Sequence, residues 1–332
     1  MNGPTSAIKT LARFGLHRLG LIHAFSWHHR HSFQILTYHH FTDVAWVDPT
    51  QVLTQHCSYI RRHFHAVSMS QIERALHEGD PLPPNALAIT VDDGYRDFLS
   101  VAFPVFRAYE LPVTVYLISD FIDGHLWPWW NRLAYALLHS GKPFFEDRLS
   151  ADGLPQRLPL GSEGERQAAY SQLCAALVKM PNRGRLALLD RLPEKLAVEI
   201  PTSAPAEYAG LTWDDVRMMK NAGVDFGAHT RTHPVLTSLE SEEAIYAELR
   251  DSKRRIEEEL QSPVTHFCYP NGGFNDTVVA AVKACGFLSA TTVLSGYDSP
   301  STDPFRLKRH SLEMDLSDDY FREMLAGLHD RT

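Results

Sequence analysis

The 332-residue chain carries 32 Lys and Arg against 40 Asp and Glu, a formal net charge of −8, with 44% hydrophobic and 22% charged residues. That balance excludes disordered and fibrous classes, and it gives no electrostatic reason to bind nucleic acid, whose affinity rests on clustered cations neutralising phosphates. The length suits one main α/β domain with embellishments.

In chain order, the first 42 residues hold four cationic side chains (Lys9, Arg13, Arg18, Arg30) and no acidic one. Ile8, Leu11, Ala12, Leu16, Leu19 and Ile22 recur at helical spacing with Lys9, Arg13 and His17 to one side, so residues 1–32 read as a basic amphipathic helix. Such a helix either packs its apolar stripe on the rest of the protein or lies on an anionic membrane surface. The cluster His28, His29 and His31 has no neighbouring carboxylate or cysteine and reads as solvated rather than metal-binding. No run reaches the roughly 18 apolar residues that span a bilayer, and no apolar core followed by a cleavage site opens the chain. With four scattered cysteines and no CxxC, the expected setting is a reducing, cytoplasmic one, with peripheral contact at the inner face of the membrane as the alternative to a purely soluble life.

Phe33 to Tyr38 is a short apolar run ending at His39 and His40, and Leu87 to Val91 is another, leaving at Asp92-Asp93-Gly94. Phe98, Val101, Ala102, Val105 and Phe106 follow at helical spacing, Pro112 stops them, and Val113 to Ile118 is a third β-branched run. This is a βαβ unit. From about residue 123 to 205 the pattern changes to a Trp-rich start (Trp127, Trp129, Trp130) and charged helical stretches broken at Pro155, Pro181, Gly184 and Pro193, read as a helical insertion. Its tryptophans serve either as buried anchors or as platforms for sugar rings.

Alternation then resumes. Thr212 and Asp215 form a capping pair, Gly223 ends that helix, and Val224 to Ala228 is a strand leading into His229-Thr230-Arg231-Thr232-His233-Pro234. A helix over about Ser241 to Leu260 places Ile245, Leu249, Ser252, Ile256 and Leu260 on one face, followed by strand Val264 to Tyr269, helix Asp276 to Cys285 and strand Leu288 to Val293. Asp92, Asp93, His229 and Tyr269 therefore fall at the C-terminal ends of strands, where such folds gather their chemistry.

One carboxylate with two imidazoles is a common open set for a divalent transition metal, and Asp93, His229 and His233 can supply it. Pro234 disfavours a helical His233, so the two histidines belong on a loop. Adjacent carboxylates resist sharing one role, which leaves Asp92 free to take a proton from an attacking water. That is the layout of metal-assisted hydrolysis.

Thr90-Val91-Asp92-Asp93-Gly94 resembles the T-F-D-D-G motif, and His229-Thr230-Arg231-Thr232-His233 the H-[ST]-x-x-H motif, of the NodB-type polysaccharide deacetylases of carbohydrate esterase family 4. The resemblance implies an α/β fold, a distorted (β/α) barrel over about residues 33–315 within a catalytic region 33–332, with the N-terminal segment and the insertion outside the common core. It implies Asp92 as catalytic base and Asp93, His229 and His233 as ligands of one metal, most simply Zn2+, with Fe, Co, Ni or Mn also compatible. It also implies N-deacetylation of an amino sugar in a glycan or glycan precursor. Phe267-Cys268-Tyr269-Pro270-Asn271-Gly272 departs from the family's R-x-P-[YF] motif, with Cys268 in the arginine's place, and looks more like a YPxG branch that includes poly-N-acetylglucosamine deacetylases. Tyr269, Pro270 and Asn271 become expected substrate contacts, and Arg309 or Arg306 the expected cation beside Asp92. Cys268 reads as a small buried side chain. The general acid is open: the resemblance implies a histidine on a late L-x-H motif, for which His329 in Leu328-His329 near the C-terminus is one candidate, and His39 is a second candidate for proton transfer. Two other readings stay in view, a metal-independent amidohydrolase on the same scaffold and an inactive glycan-binding protein.

Overall fold

The computed structural model describes residues 31–42, 46–147 and 157–328. The expected N-terminal helix, His28, His29 and His329 lie outside the described residues. Strand β1 (Phe33–Tyr38) is followed by α1 (Pro49–His63), β2 (His65–Ala66), α2 (Met69–His77) and β3 (Ala86–Val91). A π-helical turn over Phe98–Ala102 runs into α3 (Phe103–Ala108), then β4 (Val113–Leu117) and the single turn α4 (Ser119–Ile122). Next come α5 (Trp129–His139), β5 (Phe144–Glu146), β6 (Arg157–Pro159), α6 (Glu163–Lys179) and α7 (Asn182–Leu196). The remainder is α8 (Trp213–Asn221), β7 (Asp225–Ala228), α9 (Glu242–Leu260), β8 (His266–Cys268), α10 (Asp276–Ala284), β9 (Ser289–Thr291), β10 (His310–Ser311) and α11 (Asp318–Leu325).

The chain divides into two compact units: Met1–Val91 with Ser100–Thr114 and Thr291–Thr332, and Asp92–Leu99 with Val115–Ala290. In the first, β1 pairs in parallel with β10 on one side and with β3 on the other, in unbroken register from Phe33 opposite Ala86 to Tyr38 opposite Val91. Every residue of β1 and β3 is buried. Covering on both faces is why these strands read as continuous apolar runs instead of alternating ones. Phe33, Ile35, Val67, Met69, Ile72, Ala86, Ala88 and Leu307 form one core cluster there.

In the second unit the order is β4, β7, β8, β9, with β7 and β8 parallel and Ala228 opposite Phe267. Gly227 in β7 is demanded by packing: a Cβ there would stand 2.6 Å from the Tyr116 ring and 2.9 Å from the His266 carbonyl. The helix read over 241–260 is present, N-capped by Ser241, and its five named face residues are all buried. Thr212 and Asp215 do form a reciprocal capping box.

The insertion differs from its reading in two ways. It contains an antiparallel pair, β5 with β6, within a segment read as helical, because strands of three residues leave no period to read. Gly184 and Pro193 also lie inside α7 instead of breaking it. Pro193 is tolerated near the end of that helix, which stops at Ala197 in a left-handed conformation. A separate apolar cluster built on Trp129, Leu133, Phe145, Leu158, Leu173 and Leu188 holds the insertion together.

Candidate metal and catalytic site

The chemistry-bearing residues of the second unit meet on three loops that follow β3, β7 and β8. The first is Asp92-Asp93-Gly94. Asp93 adopts φ +74°, and Gly94 turns the chain at φ +88° where a Cβ would also lie 2.9 Å from Ile122 and Leu117. Positive φ in a non-glycine residue is uncommon and has to be held by its surroundings. Here the Ile118 amide donates to the Asp93 carbonyl at 3.4 Å and the Leu211 amide to the Gly94 carbonyl at 2.9 Å.

The second loop starts where the His229 amide donates to the Leu117 carbonyl at 2.9 Å. Thr230 and His233 both take positive φ, at 64° and 58°, so the two histidines converge through a loop, as the proline after His233 requires. The His233 amide donates to Thr230 Oγ1 at 3.0 Å, closing a small ring between them.

Asp93, His229 and His233 present one ligand atom each within 4.8 Å of one another. Asp93 Oδ1 stands 3.6 Å from Nε2 of His229 and 3.6 Å from Nε2 of His233, and the two Nε2 atoms are 3.1 Å apart. Ligands at about 2.1 Å from one tetrahedral or octahedral ion are separated by about 3.0 to 3.4 Å, so the trio fits a single divalent cation. His229 Nδ1 lies 2.8 Å from the Cys268 carbonyl. Only a protonated Nδ1 can donate there, which leaves the Nε2 lone pair facing the ligand cluster. All three residues are at most 5% exposed, so the donors lie in a largely dry setting.

Asp92 is 1% exposed. The Cys268 thiol donates to its Oδ2 at 3.4 Å. The residue expected to be only a small buried filler therefore touches the expected base, and its carbonyl separately orients a ligand histidine. A trio of Asp92, His229 and Cys268 also brings ligand atoms within 4.8 Å. It shares His229 with the first set, and its thiol is turned toward Asp92.

The insertion reaches this site through Trp130, whose ring lies edge-on to His233 at 4.7 Å between centroids. Trp130 Nε1 and Asn131 Nδ2 both donate to the Tyr95 hydroxyl, at 2.8 and 2.7 Å, and burial pushes the Tyr95 phenol well above its ordinary pKa. Trp127 and Trp129 are buried anchors.

The other expected residues are placed as follows. Tyr269 and Pro270 are buried, Tyr269 stacked on Phe274 at 5.1 Å and edge-on to Phe267 at 5.3 Å. Asn271 is exposed, with φ 51°. In the first unit, His39 follows β1 and is half-buried. Arg309 is fully buried there and donates to Thr37 Oγ1, Thr90 Oγ1 and the Thr292 carbonyl at 3.0, 3.2 and 3.0 Å. Arg306 is partly exposed and pairs with Asp303 at 3.4 Å.

Sequence reasoning missed Glu248, a buried carboxylate against the loop between the two histidines. Its signal was available: position 248 falls on the same helical stripe as Ile245, Leu249 and Ser252, an unusual place for an acid.

Residues 183–290 match the family model described as polysaccharide deacetylase. Over 75 residues the chain is 32% identical to the poly-beta-1,6-N-acetyl-D-glucosamine N-deacetylase of Escherichia coli strain K12, covering 22% of this chain and 11% of that relative's length. Similar solved structures include the Streptococcus pyogenes deacetylase PplD in complex with acetate (TM-score 0.59, 18% identity, 90% of this chain and 99% of that one). IcaB from Ammonifex degensii (TM-score 0.57, 15% identity, 89% and 96%) and the BpsB deacetylase domain from Bordetella bronchiseptica (TM-score 0.55, 17% identity, 85% and 96%) share the fold as well. The expected α/β fold of the NodB type is thus the fold observed. Residues 183–290 carry the likeness to the polysaccharide deacetylase family model, and the solved deacetylases share the fold of the chain.

Proposed function

We propose that the chain hydrolyses the N-acetyl group of an amino sugar in a polysaccharide or glycan precursor, releasing acetate and leaving a free amine. The observation that carries this reading is the buried convergence of Asp93, His229 and His233, with Asp92 next to Asp93 in the chain. Those three side chains would hold one divalent transition metal, Zn2+ being the first choice for an Asp-His-His set. When bound, such a cation polarises a carbonyl and lowers the pKa of a water to about 7.

Asp92 takes the proton of the attacking water as its oxygen adds to the amide carbon, and the Cys268 thiol steadies the carboxylate that receives it. Collapse of the tetrahedral centre breaks the C–N bond, and the departing nitrogen takes a proton; His39 is proposed for that transfer or for substrate contact. Arg309 is proposed to keep Asp92 ionised, which predicts that Arg309→Ala loses kcat and keeps its metal. Asn271, exposed beside buried Tyr269 and Pro270, is proposed to meet the glycan. The activity for which the Escherichia coli relative is named supports β-1,6-linked N-acetylglucosamine oligomers as first substrates. Among the described residues no helix is long and apolar enough to cross a membrane. A cytoplasmic enzyme contacting the membrane through residues 1–32 is proposed on the charge pattern of that segment, and cell fractionation with and without it tests the point.

The primary test measures metal content and acetate release together. The parent should carry about one transition metal per chain, lost in Asp93→Ala and His229→Ala with the fold retained. Asp92→Asn should keep the metal and lose about 10²- to 10⁴-fold in turnover. Absence of metal after reconstitution would remove this mechanism. Glycan binding without acetate release would identify an inactive binding protein instead.

A further inference from the structure

The loop between the two histidines carries polar backbone groups that must be satisfied, because Thr230 is fully buried and Arg231 and Thr232 are flanked by buried residues. Its carbonyls are taken by the start of α4: the Ser119 amide donates to the Thr230 carbonyl at 3.3 Å, and the Asp120 amide to the Arg231 carbonyl at 3.1 Å. Its amides are taken by one side chain. Glu248 Oε2 accepts from the Arg231 amide at 2.9 Å and from the Thr232 amide at 2.8 Å, while Oε1 accepts the Thr232 hydroxyl at 2.7 Å.

One turn further along α9, Asp251 reaches the Arg231 guanidinium at 3.5 Å. Helix α9 thus addresses both the backbone and the side chain of this segment. Glu248 is 91% buried, and a buried carboxylate is retained only where its oxygens are well used. It touches neither histidine in any of these contacts. What it fixes is the segment joining them, whose ends, Thr230 and His233, stand in left-handed backbone that two ordinary side chains would otherwise leave.

We infer that Glu248 is a positioning residue that pre-forms the pair of histidine ligands by clamping the Arg231 and Thr232 amides. The inference rests on the proposed metal site. It assigns to a residue 17 and 16 positions along the chain from Arg231 and Thr232 the task of presenting two imidazoles at ligand spacing before any ion arrives.

The test uses the full chain and measures the dissociation constant of Zn2+ by competition with a chromogenic chelator, beside the melting temperature of the metal-free protein. Glu248→Ala removes all three acceptor contacts and should weaken Zn2+ binding about 10- to 100-fold, as loss of partners that orient ligands does elsewhere. Glu248→Gln keeps an acceptor for the two amides, and its NH2 can donate to the Thr232 hydroxyl, so binding should stay within about 3-fold of the parent. Leu260→Ala, on the same helix and buried, should lower the melting temperature and leave the constant unchanged.

Unaltered binding by Glu248→Ala would overturn the inference, as would an equal loss in Leu260→Ala, since either would reduce Glu248 to general support of the helix. A parent chain that binds no Zn2+ at all would instead overturn the metal reading itself, and the inference with it.

Discussion

Position 268 shows how one residue can replace another of very different size. The resembling family places an arginine here, and this chain places a thiol 3.4 Å from Asp92 Oδ2 in a fully buried setting. A thiol is a weak donor, so its contact with a carboxylate is worth about 1 kcal/mol or less. Cys268→Ala should therefore lower kcat about 2- to 5-fold while metal content stays the same, and Cys268→Ser, which retains a donor, should recover most of that loss. Equal turnover in both variants would show that Asp92 does not depend on this contact.

At the level of elements, β7 is the piece whose placement sets the histidine loop, since His229 follows it directly. Gly227→Ala would drive a methyl into Tyr116 of β4 and the His266 carbonyl of β8. The expected cost is about 1 to 3 kcal/mol of overpacking, read as a loss of about 2 to 4 °C per kcal/mol in a thermal melt. An unchanged melt would mean that the strands shift without cost. The strands and loops bearing Asp92, Asp93, His229 and His233 were legible because each is a local signal: a buried run ending in polar residues, or a proline forbidding helix. Contacts between distant segments were not. Cys268 meets Asp92 across 176 positions, and no periodicity encodes that. The β5–β6 pair escaped because three-residue strands lack a period to read. Glu248 was half legible, as an acid on a buried stripe whose partners the sequence could not name.

For the molecule as a whole, two buried groups of the first unit respond to acid in opposite senses. His56, 3.0 Å from the Tyr38 hydroxyl and stacked on Phe321 at 3.9 Å, has its pKa lowered by burial from 6.5 to about 4. The folded chain resists protonating it, so its contribution is complete above pH 6.5 and is lost as pH falls toward 4. Burial raises Asp298, which accepts the Lys308 amide at 2.7 Å, from 3.8 to about 6. The folded chain favours its protonated form, so that contribution is complete below 3.8 and is lost as pH rises toward 6. Each effect is about 3 kcal/mol at most, and over the shared window they offset one another. Relative to the parent, His56→Gln should gain melting temperature as pH drops from 6.5 to 4, and Asp298→Asn should lose it. Curves that run parallel to the parent's would refute both assignments.

The bond from His229 Nδ1 to position 268 ends on a main-chain carbonyl. Every amino acid carries that carbonyl, so the tautomer of His229 is insulated from genetic variation at residue 268. The side chain there is free to change from lineage to lineage and to retune its neighbour Asp92, while the imidazole's orientation is inherited through the path of β8 alone. Erasing that bond without moving the strand would take chemical synthesis, an ester in place of an amide weakening the carbonyl, since no codon can do it.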